Sequence, residues 1–242
     1  MNKKLIQSRF EKCLKTYDEN AIVQKIMAKN IAEMLDNFHC NNILEIGCGT
    51  GLLTKEIVKK IEYKTFKALD IVTSCESFIK QIDEQIIFLP ADIESFILQN
   101  DIKYDLIISN ASLQWVNNLE EVINNLVLKL TENGTFVFTL FGKNNYKEIS
   151  STLNKSLNYY SKEDLETILK QYNYQISEET HQIEFSTPIE ILKHMKYTGV
   201  NSLEEISWTK KDMFKFEQEC YKICKGSPKL TYNPIYIKII NQ

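Results

Sequence analysis

The sequence predicts an α/β fold: a Rossmann-like doubly wound sheet of seven mixed strands, with helices before it and a helical insertion between the last two strands. One observation is that short apolar segments alternate with amphipathic ones as far as Leu140, as in parallel sheets covered by helices on both faces. The other is a glycine-rich stretch, ILEIGCGTG at residues 43–51, which is typical of the turn between a buried strand and a helix.

Two amphipathic helices are predicted at the start of the chain, where residues 1–40 would form a cap. Apolar residues recur there at three- and four-residue spacing. They are Ile6, Phe10, Leu14 and Tyr17 in the first helix, and Ile22, Ile26, Ile31, Met34 and Leu35 in the second. The opening MNKKLIQSRF is polar and lacks the apolar centre of a signal peptide, so we expect a cytoplasmic protein.

Five strands are predicted in residues 41–142, each short and apolar as buried parallel strands are. These strands are Ile43–Gly47, Thr65–Asp70, Ile86–Leu89, Tyr104–Ser109 and Gly134–Leu140. The helices predicted between them are Leu52–Ile61, Cys75–Ile82 and Leu119–Leu130. Pro90 is expected to stop the third strand, because proline has no N–H to donate to a neighbouring strand.

After Phe141 the segments become longer. Helices are predicted at Tyr146–Leu157 and Ser161–Tyr172, the second capped by Ser161. The last two predicted strands are Tyr174–Phe185 and Leu230–Ile240. The insertion between them, residues 186–228, is too long for an ordinary connection, and we predict that it forms a helical lid.

Composition and charge exclude several classes of function. The 242 residues are 43% hydrophobic and carry a formal net charge of -3, so no overall field attracts nucleic acid. The sequence contains no apolar run long enough to span a membrane. The six cysteines are widely spaced apart from Cys220 and Cys224, and that pair has no nearby histidines to complete a metal site. We therefore expect reduced thiols and no metal site. The length suits a single domain over residues 1–242, and we expect a monomer.

Two common glycine motifs do not fit the stretch at 43–51. A phosphate-binding Walker A loop needs Lys and then Ser or Thr after its last glycine, whereas Gly51 is followed by Leu52 and Leu53. The dinucleotide fingerprint G-x-G-x-x-G would place its third glycine one position later than this chain does. Phosphoryl transfer and adenine dinucleotide binding are both disfavoured.

Three carboxylates at the strand ends point to another ligand. Asp70 ends the second strand, close to the distance from Gly47 at which an acid accepts both ribose hydroxyls. Asp92 follows the third strand, where a carboxylate can accept an adenine amino hydrogen. Glu45, two residues before the first glycine, would repel a pyrophosphate and suit a cation. Together they indicate adenosine joined to a cationic group.

These residues resemble the class I S-adenosylmethionine-dependent methyltransferases over about residues 43–140. The resemblance rests on EIGCGTG, Asp70, Asp92-Ile93 and Ser109-Asn110-Ala111. It implies S-adenosylmethionine as cofactor, S-adenosylhomocysteine as product, and no metal. The expected cofactor-binding residues, with Tyr17 and Gln24 closing over the methionine end from the N-terminal helices, are Tyr17, Gln24, Glu45, Gly47, Cys48, Gly49, Gly51, Asp70, Ile71, Asp92, Ile93, Asn110 and Ala111.

Segments outside that core resemble the malonyl-acyl carrier protein O-methyltransferases of biotin synthesis. They are RFEKCLKTYDENAIVQKIMA at 9–28, NASLQWVNNL at 110–119, KHMKYTGVN at 193–201 and LTYNPIY at 230–236. The resemblance spans nearly the whole chain. It implies that a methyl ester forms on the free carboxylate of a malonyl thioester, on acyl carrier protein or coenzyme A, so an acyl carrier protein is the expected partner.

The predicted catalytic residues are Tyr17, Gln114, Trp115 and Lys196. Trp115 would wall off the sulfonium face, and Lys196, on the lid, would pair with the malonyl carboxylate. An ionised carboxylate needs no general base, and NASLQWV in place of N-P-P-Y after the fourth strand disfavours an amino acceptor. Two alternatives stay open: a free small acid such as trans-aconitate as acceptor, and cofactor binding without catalysis.

An acidic carrier protein would also need a basic surface on this chain. The candidate docking residues in the sequence are Lys3, Lys4, Arg9, Lys12 and Lys15, or Lys210 and Lys211.

Overall fold

The strands are described by a computed structural model that covers residues 2–35, 38–99, 101–153, 159–199 and 209–241. They are β1 (Asn42–Ile46), β2 (Thr65–Asp70), β3 (Ile87–Pro90), β4 (Tyr104–Ser109), β5 (Leu130–Phe141), β6 (Asn173–Glu178), β7 (His181–Glu184), β8 (Lys229–Tyr232) and β9 (Pro234–Ile240).

Helices flank the strands and precede them. They are α1 (Lys3–Asn20), α2 (Ile22–Glu33), α3 (Leu52–Val58), α4 (Glu76–Ile82), α5 (Ile93–Gln99), α6 (Leu119–Val127), α7 (Lys147–Leu153), α8 (Lys162–Leu169), α9 (Pro188–Tyr197) and α10 (Lys210–Cys224). None of the helices in the described part of the chain is long and apolar enough to cross a lipid bilayer.

Seven strands form one sheet in the order β3-β2-β1-β4-β5-β9-β6, which confirms the predicted seven-stranded mixed sheet. β1 to β5 pair in parallel, and β9 runs antiparallel between β5 and β6. In a sheet of this kind the crevice at the carboxyl ends of the strands is where ligands bind. The carboxyl ends of β1, β2 and β4 therefore define the place to look for a site.

Alternate residues of the central strands bury two separate cores. On one face, Leu44 of β1 and Ile107 of β4 pack in a cluster with α5, α6 and α8. On the other, Ile43 and Leu106 pack with α2, α3 and α4. Strands covered on both sides need apolar residues at every position, which is why these segments read as continuous apolar runs in the sequence.

The prediction was wrong about the last two strands, because each is broken in two. The segment predicted as Tyr174–Phe185 is divided between β6 and β7, and the segment predicted as Leu230–Ile240 is divided between β8 and β9; β6 and β8 each begin one residue earlier than predicted. The breaks come at Glu179–Thr180 and Asn233, where the Asn233 amide donates to Glu178 Oε1 at 2.8 Å and to the Glu179 carbonyl at 2.9 Å. Beyond this junction β7 and β8 pair as a separate two-stranded sheet, from which the insertion emerges.

Several predicted helices have different bounds in the structure. α5 was not predicted, and the helix predicted at Tyr146–Leu157 is described only as α7, since residues 154–158 lie outside the described part. Ser161 does cap α8, in a capping box with Asp164. The insertion contains α9 and α10, while residues 200–208, which include Asn201 of the quoted KHMKYTGVN segment, lie outside the described part. Its action as a lid stays a prediction.

Candidate active site

A cavity with about 1040 Å³ of free space, part of it open to solvent, lies at the carboxyl ends of β1, β2 and β4. Its size suits a nucleoside-sized ligand. Twelve of the predicted site residues line it: Tyr17, Glu45, Gly47, Cys48, Gly49, Asp70, Ile71, Asp92, Ile93, Asn110, Ala111 and Trp115. The structure thus brings together most of the residues that the sequence singles out.

The glycine turn holds its shape through hydrogen bonds within the protein. Gly47 and Cys48 donate their N–H groups to the Leu69 carbonyl at 2.7 and 3.1 Å, and Gly51 donates to the Cys48 carbonyl at 2.8 Å. These N–H groups therefore do not face a ligand. The turn instead contributes a surface free of side chains, since a Cβ at Gly49 would meet no atom within 4 Å. Gly51 lies outside the cavity lining and caps α3.

Asp70 ties the glycine turn to the loop after β2. Its two carboxylate oxygens accept N–H groups from Gly49 at 2.9 Å and from Val72 at 2.8 Å. Burial raises the pKa of Asp70, while these two bonds oppose the rise. Each carboxylate oxygen retains a second lone-pair site, so the carboxylate can still accept ribose hydroxyls.

Glu45 is the most perturbed acid of the site. Its side chain is 1% exposed and accepts a hydrogen bond from the Thr54 hydroxyl at 2.7 Å. Burial raises its pKa to about 8, with a smaller contribution from the negative charge of Asp70. In the ligand-free protein this carboxyl is therefore partly protonated near neutral pH, and a cation in the cavity would favour its ionised form.

We expect cofactor binding to stabilise the protein more at about pH 8 than at about pH 6. The folded-state pKa of Glu45 lies above the unfolded value, so its contribution to stability is complete below about pH 4.5 and is lost as the pH rises through about 8. The loss between pH 6 and 8 is roughly 2 kcal/mol. A bound cation opposes this loss because it stabilises the ionised form of Glu45. The gain in Tm on adding S-adenosylmethionine should therefore increase with pH.

Glu45→Gln should abolish this pH dependence in Tm measurements, and Glu132→Gln, on an exposed part of β5, serves as the matched control. If Glu45→Gln kept the wild-type increase of the cofactor-induced Tm gain with pH, Glu45 would not face the cationic part of the ligand.

Asp92 is bound to the first residues of α1. Its carboxylate and that of Glu94 both accept hydrogen bonds from the ammonium group of Lys3, and Asp92 also accepts from the Glu94 N–H at 3.0 Å. Lys3 also lines the cavity. The start of α1 is thereby held over the end of the cavity where the adenine ring is expected.

Aromatic side chains of α1 cover the remainder of the cavity. The Phe10 ring lies 6.3 Å from that of Tyr17 and meets Trp115 edge-on at 5.9 Å between centroids. Burial raises the pKa of the Tyr17 phenol, so Tyr17 stays protonated and donates hydrogen bonds. These three rings can keep water from whatever occupies the centre of the cavity.

Asp18, which follows Tyr17, fastens α1 to the glycine turn. It accepts a hydrogen bond from the Thr50 hydroxyl at 2.5 Å and forms an ion pair with Lys55 at 3.2 Å. α1 is consequently held at two points, by Lys3 at its start and by Asp18 near its end.

Asn110 connects three elements beneath the cavity. Its amide donates to the Gln24 carbonyl of α2 at 2.9 Å, and its side-chain oxygen accepts from the Thr139 hydroxyl of β5 at 2.9 Å. The Gln24 side chain is 2% exposed and does not line the cavity. Gln24 thus lies behind the cavity wall, next to Asn110.

Four buried side-chain polar atoms in the described residues have no hydrogen-bond partner: Gln24 Oε1, Gln114 Oε1, Trp115 Nε1 and the Tyr146 hydroxyl. Buried polar atoms are nearly always paired, so unpaired ones at one edge of the sheet indicate a ligand. Gln114 and Trp115 follow β4, and Tyr146 follows β5, so these three lie beyond neighbouring strand ends. Tyr146 was not predicted, and its backbone adopts φ 55°.

Lys196 is exposed on α9 and does not line the cavity, so its pairing with a carboxylate stays a prediction. The end of α9 packs against α1: a Cβ at Gly199 would lie 3.0 Å from the Phe10 ring and 3.1 Å from Cys13 Sγ. The T-G of KHMKYTGVN therefore joins the insertion to the helix that covers the cavity.

Sequence reasoning missed several residues that line the cavity, among them Lys3, Phe10, Thr50 and Ser112. Phe10 carries a signal, because it shares the apolar periodicity of Tyr17. The partnership of Lys3 with Asp92 joins residues far apart in the chain and has no local signal.

Four features of the cavity fit the expected cofactor. It offers an acid for a ribose at Asp70, a buried acid for a positive charge at Glu45, an open backbone surface at Gly49 and an unpaired indole N–H at Trp115. Bound there, S-adenosylmethionine would supply an electrophilic methyl group on a sulfonium.

The chain matches a protein-family model and curated relatives along most of its length. Residues 17–179 match the family described as methyltransferase domain. The malonyl-[acyl-carrier protein] O-methyltransferase of Calditerrivibrio nitroreducens is 39% identical over 95% of this chain and 94% of its own. The protein of the same name from Bacteroides thetaiotaomicron is 33% identical over 98% of this chain and 97% of its own.

Among solved structures, the N-methyltransferase NodS from Bradyrhizobium japonicum, in complex with S-adenosylhomocysteine, has a similar fold. The alignment covers 92% of this chain and 87% of NodS, with a TM-score of 0.51 and 15% identity. At that identity the likeness shows the fold alone.

Proposed function

Because the chain belongs to the malonyl-[acyl-carrier protein] O-methyltransferases, within the methyltransferase-domain family, we propose that it methylates the free carboxylate of malonyl-acyl carrier protein. One carboxylate oxygen forms a bond to the methyl carbon while the bond from that carbon to sulfur breaks. The products are the malonyl methyl ester and S-adenosylhomocysteine. The ester masks the negative charge of the free carboxylate, so that the enzymes of fatty-acid elongation accept the substrate. This places the reaction in the early, pimeloyl-forming stage of biotin synthesis.

The observation that carries this proposal is 39% identity over 95% of the chain and 94% of the relative. The fold alone says which cofactor suits the cavity and little about what is methylated. The acceptor is therefore inferred from the relatives and from the residues outside the cofactor core.

The residues around the cavity suit a reaction that needs no general base. A malonyl carboxylate is ionised at neutral pH, and Tyr17 has a pKa raised by burial, so it donates rather than removes a proton. The remaining requirements are alignment and exclusion of water. Alignment of reacting groups supplies several kcal/mol, up to roughly 7–11 in favourable cases.

We place the acceptor beside the unpaired polar atoms that follow β4 and β5. The Trp115 N–H can donate to a carboxylate or thioester oxygen, and Tyr17 lines the same cavity from α1. The Tyr146 hydroxyl lies outside the cavity lining, close to Tyr17 and Tyr232, and is the second candidate donor. The buried surroundings strengthen such hydrogen bonds, since little water competes for them.

Tyr17→Phe should lower the turnover of malonyl-acyl carrier protein about 10- to 100-fold at saturating cofactor, while the affinity for S-adenosylhomocysteine changes little. The substitution keeps the ring that packs on Phe10 and removes one hydrogen bond to a charged acceptor, worth about 1.5–3 kcal/mol. Steady-state rates and calorimetric affinities give the two quantities. Tyr63→Phe, whose hydroxyl bonds Asp83, is the matched control. If Tyr17→Phe turned over at the wild-type rate, the Tyr17 hydroxyl would not bind the acceptor.

Acceptor preference tests the proposal directly. The protein is incubated with methyl-labelled S-adenosylmethionine and, separately, with malonyl-acyl carrier protein, malonyl-coenzyme A, free malonate and trans-aconitate. We expect a base-labile ester on the malonyl thioesters and little on the free acids. Preference for a free acid would favour the small-acid alternative, and cofactor binding without any ester would favour a non-catalytic protein.

A further inference from the structure

One side of α10 presents lysines and aromatic residues to solvent. Its exposed residues follow one another at three- and four-residue spacing, so they form a continuous stripe along the helix. We call this stripe the α10 basic face; it consists of Lys211, Phe214, Lys215, Gln218, Tyr221 and Lys222 of the helix, together with Lys225 at its C-cap.

The opposite side of α10 fixes the direction of this face. Phe216, Cys220 and Cys224 are buried in a core cluster with Leu230 and Tyr232 of β8. Thr209 and Asp212 form a capping box at the start of the helix. Because the helix is anchored by its apolar side and its cap, the α10 basic face points away from the core.

The face concentrates positive charge on a protein whose formal net charge is -3. It holds four lysines and no acid, and none of the four forms an ion pair with a described residue. Asp212, the adjacent exposed acid, has its carboxylate bound by the Thr209 N–H and hydroxyl. Glu217 and Glu219 lie beside the stripe and are half-buried.

Two aromatic side chains lie between the lysines. Phe214 is 64% exposed and Tyr221 is 45% exposed. Aromatic residues are enriched at protein interfaces, and a large apolar side chain among charges is typical of a surface that a partner covers. The combination suits a partner helix that has both acidic and apolar residues.

We propose that the α10 basic face is the docking surface for the acidic carrier protein that presents the malonyl group. The proposal rests on the proposed function, which supplies a partner of this charge. The structure also connects this surface to the cavity: α10 packs against α9, the end of α9 packs against Phe10 of α1, and Phe10 contacts Trp115. The carrier would dock on the insertion while its flexible arm enters beside α1.

Charge reversal on this face tests the proposal. In Lys215→Glu/Lys222→Glu we expect kcat/KM for malonyl-acyl carrier protein to fall at least 10-fold, with kcat/KM for malonyl-coenzyme A unchanged. The matched control is Lys59→Glu/Lys64→Glu, which reverses two exposed lysines between α3 and β2, at the amino edge of the parallel strands. Added salt should weaken the wild-type reaction with the carrier and have less effect on the variant, because the attraction is screened.

Phe214→Ala provides a second test that leaves the charge unaltered. It should raise KM for malonyl-acyl carrier protein several-fold, with kcat and the reaction with malonyl-coenzyme A unchanged. An unaltered KM for the carrier in both variants would overturn the proposal, as would an equal loss with carrier and coenzyme A substrates.

Direct binding separates failure of the docking proposal from failure of the proposed function. Fluorescence anisotropy of labelled malonyl-acyl carrier protein is measured against the wild type, both variants and the control. Weaker binding by the two α10 variants alone supports docking at this face, even if no methyl transfer to malonyl is detected. Equal binding by all four proteins contradicts it.

Discussion

Asp70→Ala is expected to lower the affinity for S-adenosylhomocysteine by roughly 100-fold or more, because two charge-assisted hydrogen bonds of the turn are lost. The substitution releases the Gly49 and Val72 N–H groups together and removes the acceptor for the ribose hydroxyls. Isothermal titration calorimetry measures the affinity, and a thermal melt measures the accompanying loss of stability.

The affinity of Asp70→Asn for S-adenosylhomocysteine should lie between those of the wild type and Asp70→Ala, because the amide oxygen can still accept a hydrogen bond from the Gly49 or the Val72 N–H. Asp101→Ala, which removes an exposed partner of Lys129, should leave the affinity unaltered. Binding by Asp70→Ala within a few-fold of wild type would mean that Asp70 does not hold the cofactor.

Alanine at Gly47 and at Gly49 should have different effects, although both glycines have positive φ, at 69° and 52°. A Cβ at Gly47 would overlap the Ser112 hydroxyl, whereas a Cβ at Gly49 would project into open space. Gly47→Ala should therefore cost about 2–5 kcal/mol of stability, from left-handed strain and overpacking. Gly49→Ala should cost about 1–2 kcal/mol of stability and mainly block the cofactor.

Denaturant unfolding and calorimetry separate these two effects. Adding Ser112→Gly to Gly47→Ala should recover part of the lost stability, since it removes the overlapping side chain. The same substitution should not restore cofactor binding to Gly49→Ala. Equal losses of stability at the two glycines would contradict the different surroundings that the structure assigns to them.

Most of the sheet and the cofactor side of the cavity could be predicted from the sequence. Buried parallel strands read as apolar runs, and the glycine turn, Asp70 and Asp92 all follow strand ends, which topology brings to one edge. The local sequence pattern is therefore sufficient to assign Glu45 to the cavity lining, and the family resemblance assigns Asn110 to it; both residues lie there.

The sequence could not predict contacts between residues far apart in the chain. Lys3 reaches Asp92 across 89 positions, and Asp18 reaches Thr50 across 32. The breaks in the last two predicted strands depend on Asn233, whose amide bonds Glu178 in another strand. These partners have no periodicity along the chain, so a pattern along the chain does not reveal them.

The most direct test of the central claim follows the methyl group to its acceptor. Malonyl-acyl carrier protein is incubated with the protein and S-adenosylmethionine bearing a deuterated methyl, and the carrier's arm is then examined by mass spectrometry before and after mild alkaline hydrolysis. The label should appear on the malonyl group, within the wild-type reaction only, and should leave on hydrolysis as methanol. The proposed function would be contradicted if the malonyl group stayed unlabelled although the protein binds the cofactor fully. Label on the carrier polypeptide itself would also contradict it.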